Sequence, residues 1–466
     1  MAKFTYIDLF SGIGGFRVAL DALGGRSVGY SEIDKKAVET YKNNFKDPDS
    51  HDLGDITKIT EMEGVDLLVG GVPCQSWSVA GKKRGFDDPR GKLWYDTIRV
   101  VEMSQPKAFI FENVKGLIDP RNRANLELIL ENFTNLGYTV RFQLLNSYDF
   151  GVPQNRSRIF IVGFRNDLSH LAESFNYPKS VPAHKKVSDL IDGIKRRNIL
   201  KQKFNPSTIH GKFIPKSRNA FQKIDELNDF FIFCDTRNGH STIHSWDIYD
   251  TSQREKNICL TIMRNRRKKK YGLADGNPLS FEHIGELVPE LKINELNKLV
   301  EKRILKKTPD GKFTLLNSKN SSGIDGVYRV FLPNSSIFST LTATGTRDFI
   351  ATDYVECDDP GAYKQCFIDQ IFKHKKYRQV TSREAARIQG FPDTFKYHDS
   401  DYSAQKQFGN AVSPPVIKAL AKEVINTGIF NQTDQSPTIV KVKPTNTSYQ
   451  DRLSSPTQLS LLVDNG

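Results

Sequence analysis

Along the first 165 residues, short apolar runs alternate with stretches whose apolar residues recur every three or four positions. The runs at 4–10, 27–32, 66–71, 107–112, 140–145 and 159–164 have strand length and predict β-strands. The stretches at 16–23, 35–45, 94–104 and 125–136 predict helices. Strands that alternate with helices imply an α/β fold, a mostly parallel sheet with helices on both faces. After residue 164 the rhythm breaks, and from about 170 to 380 the chain is polar and irregular. Helical spacing returns at 382–389 and 415–425. From about 430 the chain is rich in Ser, Thr, Asn, Gln and Pro, which predicts a disordered tail over 431–466. There is no internal repeat.

Composition narrows the class. The 466 residues suffice for two or three domains, and the 38% apolar content is low enough to imply polar insertions. A net charge of +13 points to a polyanionic partner: DNA, RNA or an anionic membrane surface. No run of about 18 apolar residues is present to span a bilayer, and the N-terminus lacks the pattern of a signal peptide. The five cysteines, Cys74, Cys234, Cys259, Cys357 and Cys366, are odd in number and lack metal-ligand spacing. No metal site or disulfide framework is expected, and a reducing cytoplasm fits.

The candidate chemistry sits at the ends of the predicted strands. The first strand runs into DLFSGIGGF, residues 8–16, where glycines would let the backbone approach a ligand. Glu32 ends the second strand and could accept hydrogen bonds from a ribose. Alone, these features also suit an NAD-dependent oxidoreductase or an ordinary tight turn. The third strand runs into GGVPCQSWS, residues 70–78, which places Cys74 just beyond a strand end. A lone cysteine is more often a small buried hydrophobe, but here it lies beside the expected ligand crevice. Glu112 ends the fourth strand, and QNRSR, residues 154–158, starts the last.

Taken in order, DLFSGIGGF, Glu32, GDIT, PCQSWS, RGKLW, ENV, QNRSR, REAARIQGFP and GNAVSPPV resemble the ordered motifs of bacterial cytosine-5 DNA methyltransferases of restriction-modification systems. They cover residues 1–165 and 380–425, a little under half of the chain. The resemblance implies an S-adenosylmethionine-dependent, Rossmann-like catalytic and cofactor-binding domain over 1–175 and 395–430. A target-recognition domain over 176–394 follows from it, with DNA between the two. It implies cofactor contacts from Phe10, Gly12, Gly14, Glu32, Ile33, Asp55, Ile56, Pro73, Asn410 and Val412. Ile33 departs from the family, where an aromatic residue is usual at that place, and it would offer apolar packing only.

The reaction implied is methylation of carbon 5 of cytosine within a short duplex DNA sequence, on a base flipped out of the helix. Cys74 would add to carbon 6, and Glu112 would hold or share a proton at ring nitrogen 3. Arg156 and Arg158 would hold the base and the carboxylate, with Arg158 favoured for the base. Residues 79–93 carry several glycines and cations and would form a flap over DNA. Gln75, Ser78, Lys82, Lys83 and Arg84 are the expected DNA contacts there. A monomer in the bacterial cytoplasm, nucleoid-associated when bound to DNA, is expected.

The middle region must be read without motifs. RNRRKKK, residues 264–270, has six cations in seven positions, and Arg266, Arg267, Lys268 and Lys269 are the expected phosphate contacts. Apolar residues at helical spacing over 281–288 and 293–300, then a Pro309-Asp310-Gly311 turn between alternating positions, give the order helix, turn, helix, hairpin. That is the order of a winged-helix-like insert over 280–316, or of a small helical insertion; a full module needs another helix upstream, and the sequence does not reveal one. Thr340 and Leu341 resemble the Thr-Leu turn of the family's recognition regions. Two rival functions are a cytosine-5 methyltransferase acting on tRNA and a catalytically silent DNA-binding protein. The long basic middle argues against the first, and the intact Cys74, Glu112 and Arg158 against the second.

Overall fold

The computed structural model describes residues 2–62, 64–73, 93–181, 185–194, 243–274, 276–316, 324, 326–327, 329–335, 337–344, 348–359 and 362–432, and the backbone of 231–233. Two compact units result. One comprises Met1–His184, Thr340–Gly345 and Ala385–Gly466, the other Lys185–Ser339 and Thr346–Glu384. The division therefore falls at 184/185 and 384/385, and a six-residue segment at 340–345 returns to the first unit. The tail expected over 431–466 lies outside the described residues from 433 onward.

The first unit is a six-stranded sheet. Its strands are β1 (Phe4–Leu9), β2 (Gly25–Ser31), β3 (Leu67–Gly71), β4 (Ala108–Val114), β5 (Tyr138–Asn146) and β6 (Ser157–Arg165), in the order β2-β1-β3-β4-β6-β5. The pairs among β2, β1, β3 and β4 are parallel, and β6 runs antiparallel to both β4 and β5. β1, β3, β4 and β6 bury both faces, whereas β5 is largely half-buried or exposed. Tyr6, Val69, Ile110 and Val162 point into one apolar cluster, and Ile7, Leu68, Phe109 and Ile161 into the other. That is why these segments read as near-continuous apolar runs in the sequence.

Helices cover both faces. α1 (Gly15–Asp21) and the helix Pro414–Asn426 pack on the first cluster through Phe16, Leu20, Ile417 and Leu420. α3 (Leu93–Ser104) and α4 (Arg123–Asn135) pack on the second through Trp94, Ile98, Ile129 and Phe133. α2 (Lys35–Asn44) starts at Asp34, whose carboxylate accepts from the backbone of Lys36 and Ala37. The sequence did not point to the helix Asp401–Asn410, which docks on α2 by polar contacts. Gln407 donates to the Lys36 carbonyl at 2.9 Å and pairs with the Thr40 hydroxyl at 3.1 Å.

The second unit holds a four-stranded sheet, β12 (Tyr377–Gln379), β11 (Asp348–Ala351), β10 (Arg329–Phe331) and β7 (Phe231–Phe233), in that order. Beside it lie α5 (Gln253–Asn265), α6 (Phe281–Gly285), α7 (Ile293–Glu301) and the hairpin β8–β9 (Leu305–Lys307, Phe313–Leu315). Gly311 turns the hairpin at φ 79°, the left-handed region that favours glycine.

His244 is enclosed in this unit against the ring of Trp246, and burial pushes its imidazole down to about 4. The unfolded chain takes up that proton near pH 6.5. Between about 6.5 and 4 the unfolded state therefore binds more protons, and stability is lost as pH falls through that window. Lowering pH from 7.5 to 5 should cost the second unit about 2 kcal/mol through this group. Urea unfolding of His244→Gln should show a flatter pH dependence, and an unchanged dependence would rule the effect out.

Candidate active site

The strand order reverses between β1 and β3, and at such a point the carboxyl ends of parallel strands leave a crevice. Register fixes what lines it. Leu9 pairs with Ser31 on one side and Gly70 on the other, and Gly70 pairs with Phe111. The next residue on each strand, Glu32, Phe10, Gly71 and Glu112, forms the row at the rim. At about 4.8 Å per strand, Glu32 and Glu112 stand about 14 Å apart.

One end of this row is a turn shaped by positive backbone angles. Phe10, Gly12 and Gly14 have φ of 54°, 56° and 88°. Phe10 is not a glycine, so its backbone is held in a conformation L-residues rarely adopt, a feature that clusters at ligand sites. The Gly12 backbone N–H donates to Glu32 Oε2 at 2.9 Å. The other oxygen of Glu32 accepts from the backbone of Ile33 and Asp34, both at 2.8 Å. Glu32 is thus locked across the strand ends, while Ile33 stands 73% exposed beside it. Gly15 starts α1 where a Cβ would lie 2.7 Å from a methyl of Val412, so only glycine lets the returning chain come this close. Asp55 caps the turn Ile56–Lys58 by accepting from Thr57, and Ile56 is buried in the core.

Asp8 is fully buried, with no hydrogen-bond partner for either oxygen among the described residues. Burial holds its carboxyl well above the usual range. A buried polar group without a partner calls for an explanation. A ligand donor supplied to the glycine turn is one that fits.

At the other end, Glu112 is buried, and its Oε1 lies 2.9 Å from Nε of Arg158 on the neighbouring strand. The antiparallel register sets this pair, because Val114 faces Arg158 across β4 and β6. Next to them the Asn113 side chain donates to the Val72 carbonyl at 3.2 Å, which ties the end of β3 to β4. Pro73 is the last described residue there. Cys74, Gln75, Ser78, Lys82, Lys83 and Arg84 lie outside the described residues.

Three expectations from the sequence are corrected. Arg156 is 2% exposed, and its guanidinium donates to the carbonyls of Leu341, Gly409 and Ala411 at 3.2, 3.1 and 2.9 Å. With both terminal nitrogens committed to backbone, it positions the returning chain. Arg266 is 1% exposed, so it cannot meet a phosphate, whereas Arg267, Lys268 and Lys269 are exposed. The Leu341 side chain is buried, and the Thr340 hydroxyl donates to the Asn155 carbonyl, so neither presents itself as a DNA contact.

Asn410 is exposed at the end of its helix, and Val412 is buried against Gly15. What holds this segment is a polar cluster that sequence reading missed. Gln154 donates to the Gln389 side chain at 2.9 Å, Gln389 to the Ala411 carbonyl at 2.6 Å, and Ser413 to the Gln389 carbonyl at 3.0 Å. Gln154 and Gln389 both lie inside quoted motifs, but spacing cannot show that two amides meet 235 positions apart.

Arg156→Met should take this donor from the carbonyls of Leu341 and Gly409, at about 1–3 kcal/mol each, while the Ala411 carbonyl keeps its bond from Gln389. The unfolding free energy should fall by about 2 kcal/mol or more. A denaturant titration showing wild-type stability would remove Arg156 from this role.

Among the described residues no helix is long and apolar enough to cross a membrane, and no group of three His, Cys, Asp or Glu could hold a metal ion. Comparison with known proteins gives consistent matches. A "Type II methylase M.HgiEI" from Herpetosiphon aurantiacus is 49% identical over 93% of this chain and 99% of its own length. The "Type II methyltransferase M.BanI" of Aneurinibacillus aneurinilyticus is 33% identical over 92% of the chain and 97% of its own. The solved structure of the Entamoeba histolytica methyltransferase EhMeth shares the fold with a TM-score of 0.51 at 13% identity, covering 91% of this chain and 99% of that one. The family model for the C-5 cytosine-specific DNA methylase matches residues 4–426, which takes in every strand of the sheet and both ends of the crevice: the chain belongs to that family of enzymes.

Proposed function

We propose that the chain methylates carbon 5 of one cytosine within a short duplex DNA sequence, as the modification component of a restriction-modification system. The observation that carries this reading is the Glu112–Arg158 pair at the rim of the crevice, one residue-row from the chain that leads through Pro73 to Cys74. The type II relatives support the assignment to restriction-modification.

The cofactor fits the other end of the row. A glycine turn, a carboxylate locked across two strand ends, an exposed Ile33 and the orphaned Asp8 suit a nucleoside that carries an amino-acid arm. S-adenosylmethionine, when bound, supplies an electrophilic methyl group on its sulfonium. Phe10, Gly12 and Gly14 shape the turn that would receive it, and Glu32 would accept from the ribose hydroxyls. Ile33, Asp55, Ile56 and Pro73 would make up the adenine side of the pocket. Asn410 and Val412 would close the pocket.

On the DNA side the chain's own groups do the chemistry. Cytosine carbon 5 is a poor nucleophile. Addition of the Cys74 thiolate to carbon 6 forms a C–S bond and moves electron density to carbon 5. Glu112 holds the proton that the ring gains at nitrogen 3, and Arg158 orients Glu112 and the base. Once carbon 5 carries the methyl group, its proton leaves to solvent and the C–S bond breaks, which returns the thiolate. The base must leave the stack to reach Cys74, at about a few kcal/mol.

The test is transfer of tritium-labelled methyl groups to duplex DNA and to tRNA in parallel. Label in DNA alone is expected. Label in tRNA alone would overturn the DNA assignment.

A further inference from the structure

Residues 243–316 of the second unit have an apolar core of their own. Ile258 and Ile262 of α5, Ile284 of α6, Leu296 and Leu299 of α7 and Phe313 of β9 meet in one cluster. The chain order is α5, a bridge at Leu279, α6, α7, β8, β9. Leu279 pairs antiparallel with Phe313, their backbones exchanging hydrogen bonds of 2.9 and 2.7 Å, and β8 pairs antiparallel with β9. Helix, strand, helix, helix, strand, strand is the topology of a winged helix, in which the last helix is presented to a nucleic-acid groove.

The surface of α7 supports that use. Leu296 and Leu299 face inward; Asn294, Lys298 and Glu301 are exposed and Asn297 is half-buried. These four are spaced to share one face of the helix. The side chains of Asn294, Asn297 and Lys298 make no hydrogen bond or ion pair among the described residues. Their neighbours are tied down: Glu295 pairs with Arg254 at 2.5 Å, and Lys302 with Glu255 at 2.9 Å. The ion pairs therefore fix α7 onto α5 and leave outward a face of two amides, the Lys298 ammonium and the Glu301 carboxylate. Amides match adenine and lysine matches guanine in the major groove. Residues 243–316 hold 15 Lys and Arg against 10 Asp and Glu, so a polyanion is the partner the charge favours. Lys306 and Lys307 lie on the hairpin that forms the wing.

We propose that residues 243–316 are a winged-helix head that docks on duplex DNA, with Asn294, Asn297 and Lys298 reading base edges and Lys306 and Lys307 on phosphates. This rests on the reading of the chain as a DNA methyltransferase and names the residues that choose its site.

The experiment uses the full chain. Methylated cytosines are mapped by bisulfite sequencing, and affinity is titrated against salt on a duplex that carries the mapped site and on a scrambled one. The triple variant Asn294→Ala, Asn297→Ala, Lys298→Ala should lower the ratio of the two affinities by about 10- to 100-fold. Methylation should spread to sites that differ from the wild-type site. Lys306→Ala with Lys307→Ala should weaken both duplexes equally and flatten the slope of log affinity on log salt by about 0.9 per lost contact. Should the triple variant unfold, Lys298→Gln alone carries the same expectation at about 5- to 10-fold. A ratio within about twofold of wild type with an unchanged map overturns the winged-helix reader and leaves the enzyme standing. A wild-type chain that methylates no DNA overturns the enzyme reading instead.

Discussion

Cys74→Ala should bring methyl transfer down by on the order of 10⁴-fold or more, while binding of S-adenosylmethionine and of DNA stays within a few-fold of wild type. The expectation follows from chain position. β3 ends at Gly71, and the chain passes Val72, held by Asn113, and Pro73 before it reaches the cysteine. Among the described residues of the rim the carboxylates are engaged, Glu112 by Arg158 and Glu32 by the backbone of Gly12, Ile33 and Asp34. A duplex with 5-fluorocytosine at the target should trap wild-type protein as a denaturant-resistant adduct, because fluorine cannot leave as the C5 proton does. The alanine variant should form none. Turnover by Cys74→Ala would sink the covalent mechanism.

Glu112→Gln should lower the single-turnover rate by about 10²- to 10⁴-fold with DNA affinity little changed. The substitution keeps the shape of the side chain and removes the carboxylate that Arg158 orients at 2.9 Å. Its work falls on charge that develops after the thiolate adds, so the loss should appear in the rate and hardly in binding. Rapid-quench measurement at saturating DNA separates the two. A variant with weak binding and a normal single-turnover rate would make Glu112 a DNA contact only.

Much of the sheet was legible because β1, β3, β4 and β6 are buried on both faces and so read as near-unbroken apolar runs. Ala108–Val114 is the clearest case. The crevice was legible for a related reason. Glycines, Glu32 and Glu112 fall at or near strand ends, and strand ends in a parallel sheet share an edge. Arginines were read less well. Arg156, Arg158 and Arg266 look alike in a sequence, yet one clamps three carbonyls, one pairs with a carboxylate at the rim and one is buried in the second unit. Only tertiary packing decides among these. Helix α5 was missed although its signals are present: Ser252 and Glu255 form a capping box, and Ile258, Cys259, Ile262 and Met263 recur on one face. The adjoining basic run drew the reading toward a charged surface instead. Helix Asp401–Asn410 had weaker signals, since polar side chains such as Gln407 make much of its docking.

The central claim is that this chain places methyl groups on carbon 5 of cytosine in duplex DNA at one short sequence. Bisulfite sequencing of genomic DNA from a methylation-free host expressing the chain tests it most directly. Unconverted cytosines are expected at a single position of one recurring motif, on both strands where the motif is symmetric, and none in cells expressing Cys74→Ala. Full conversion in cells shown to contain folded wild-type protein would contradict it.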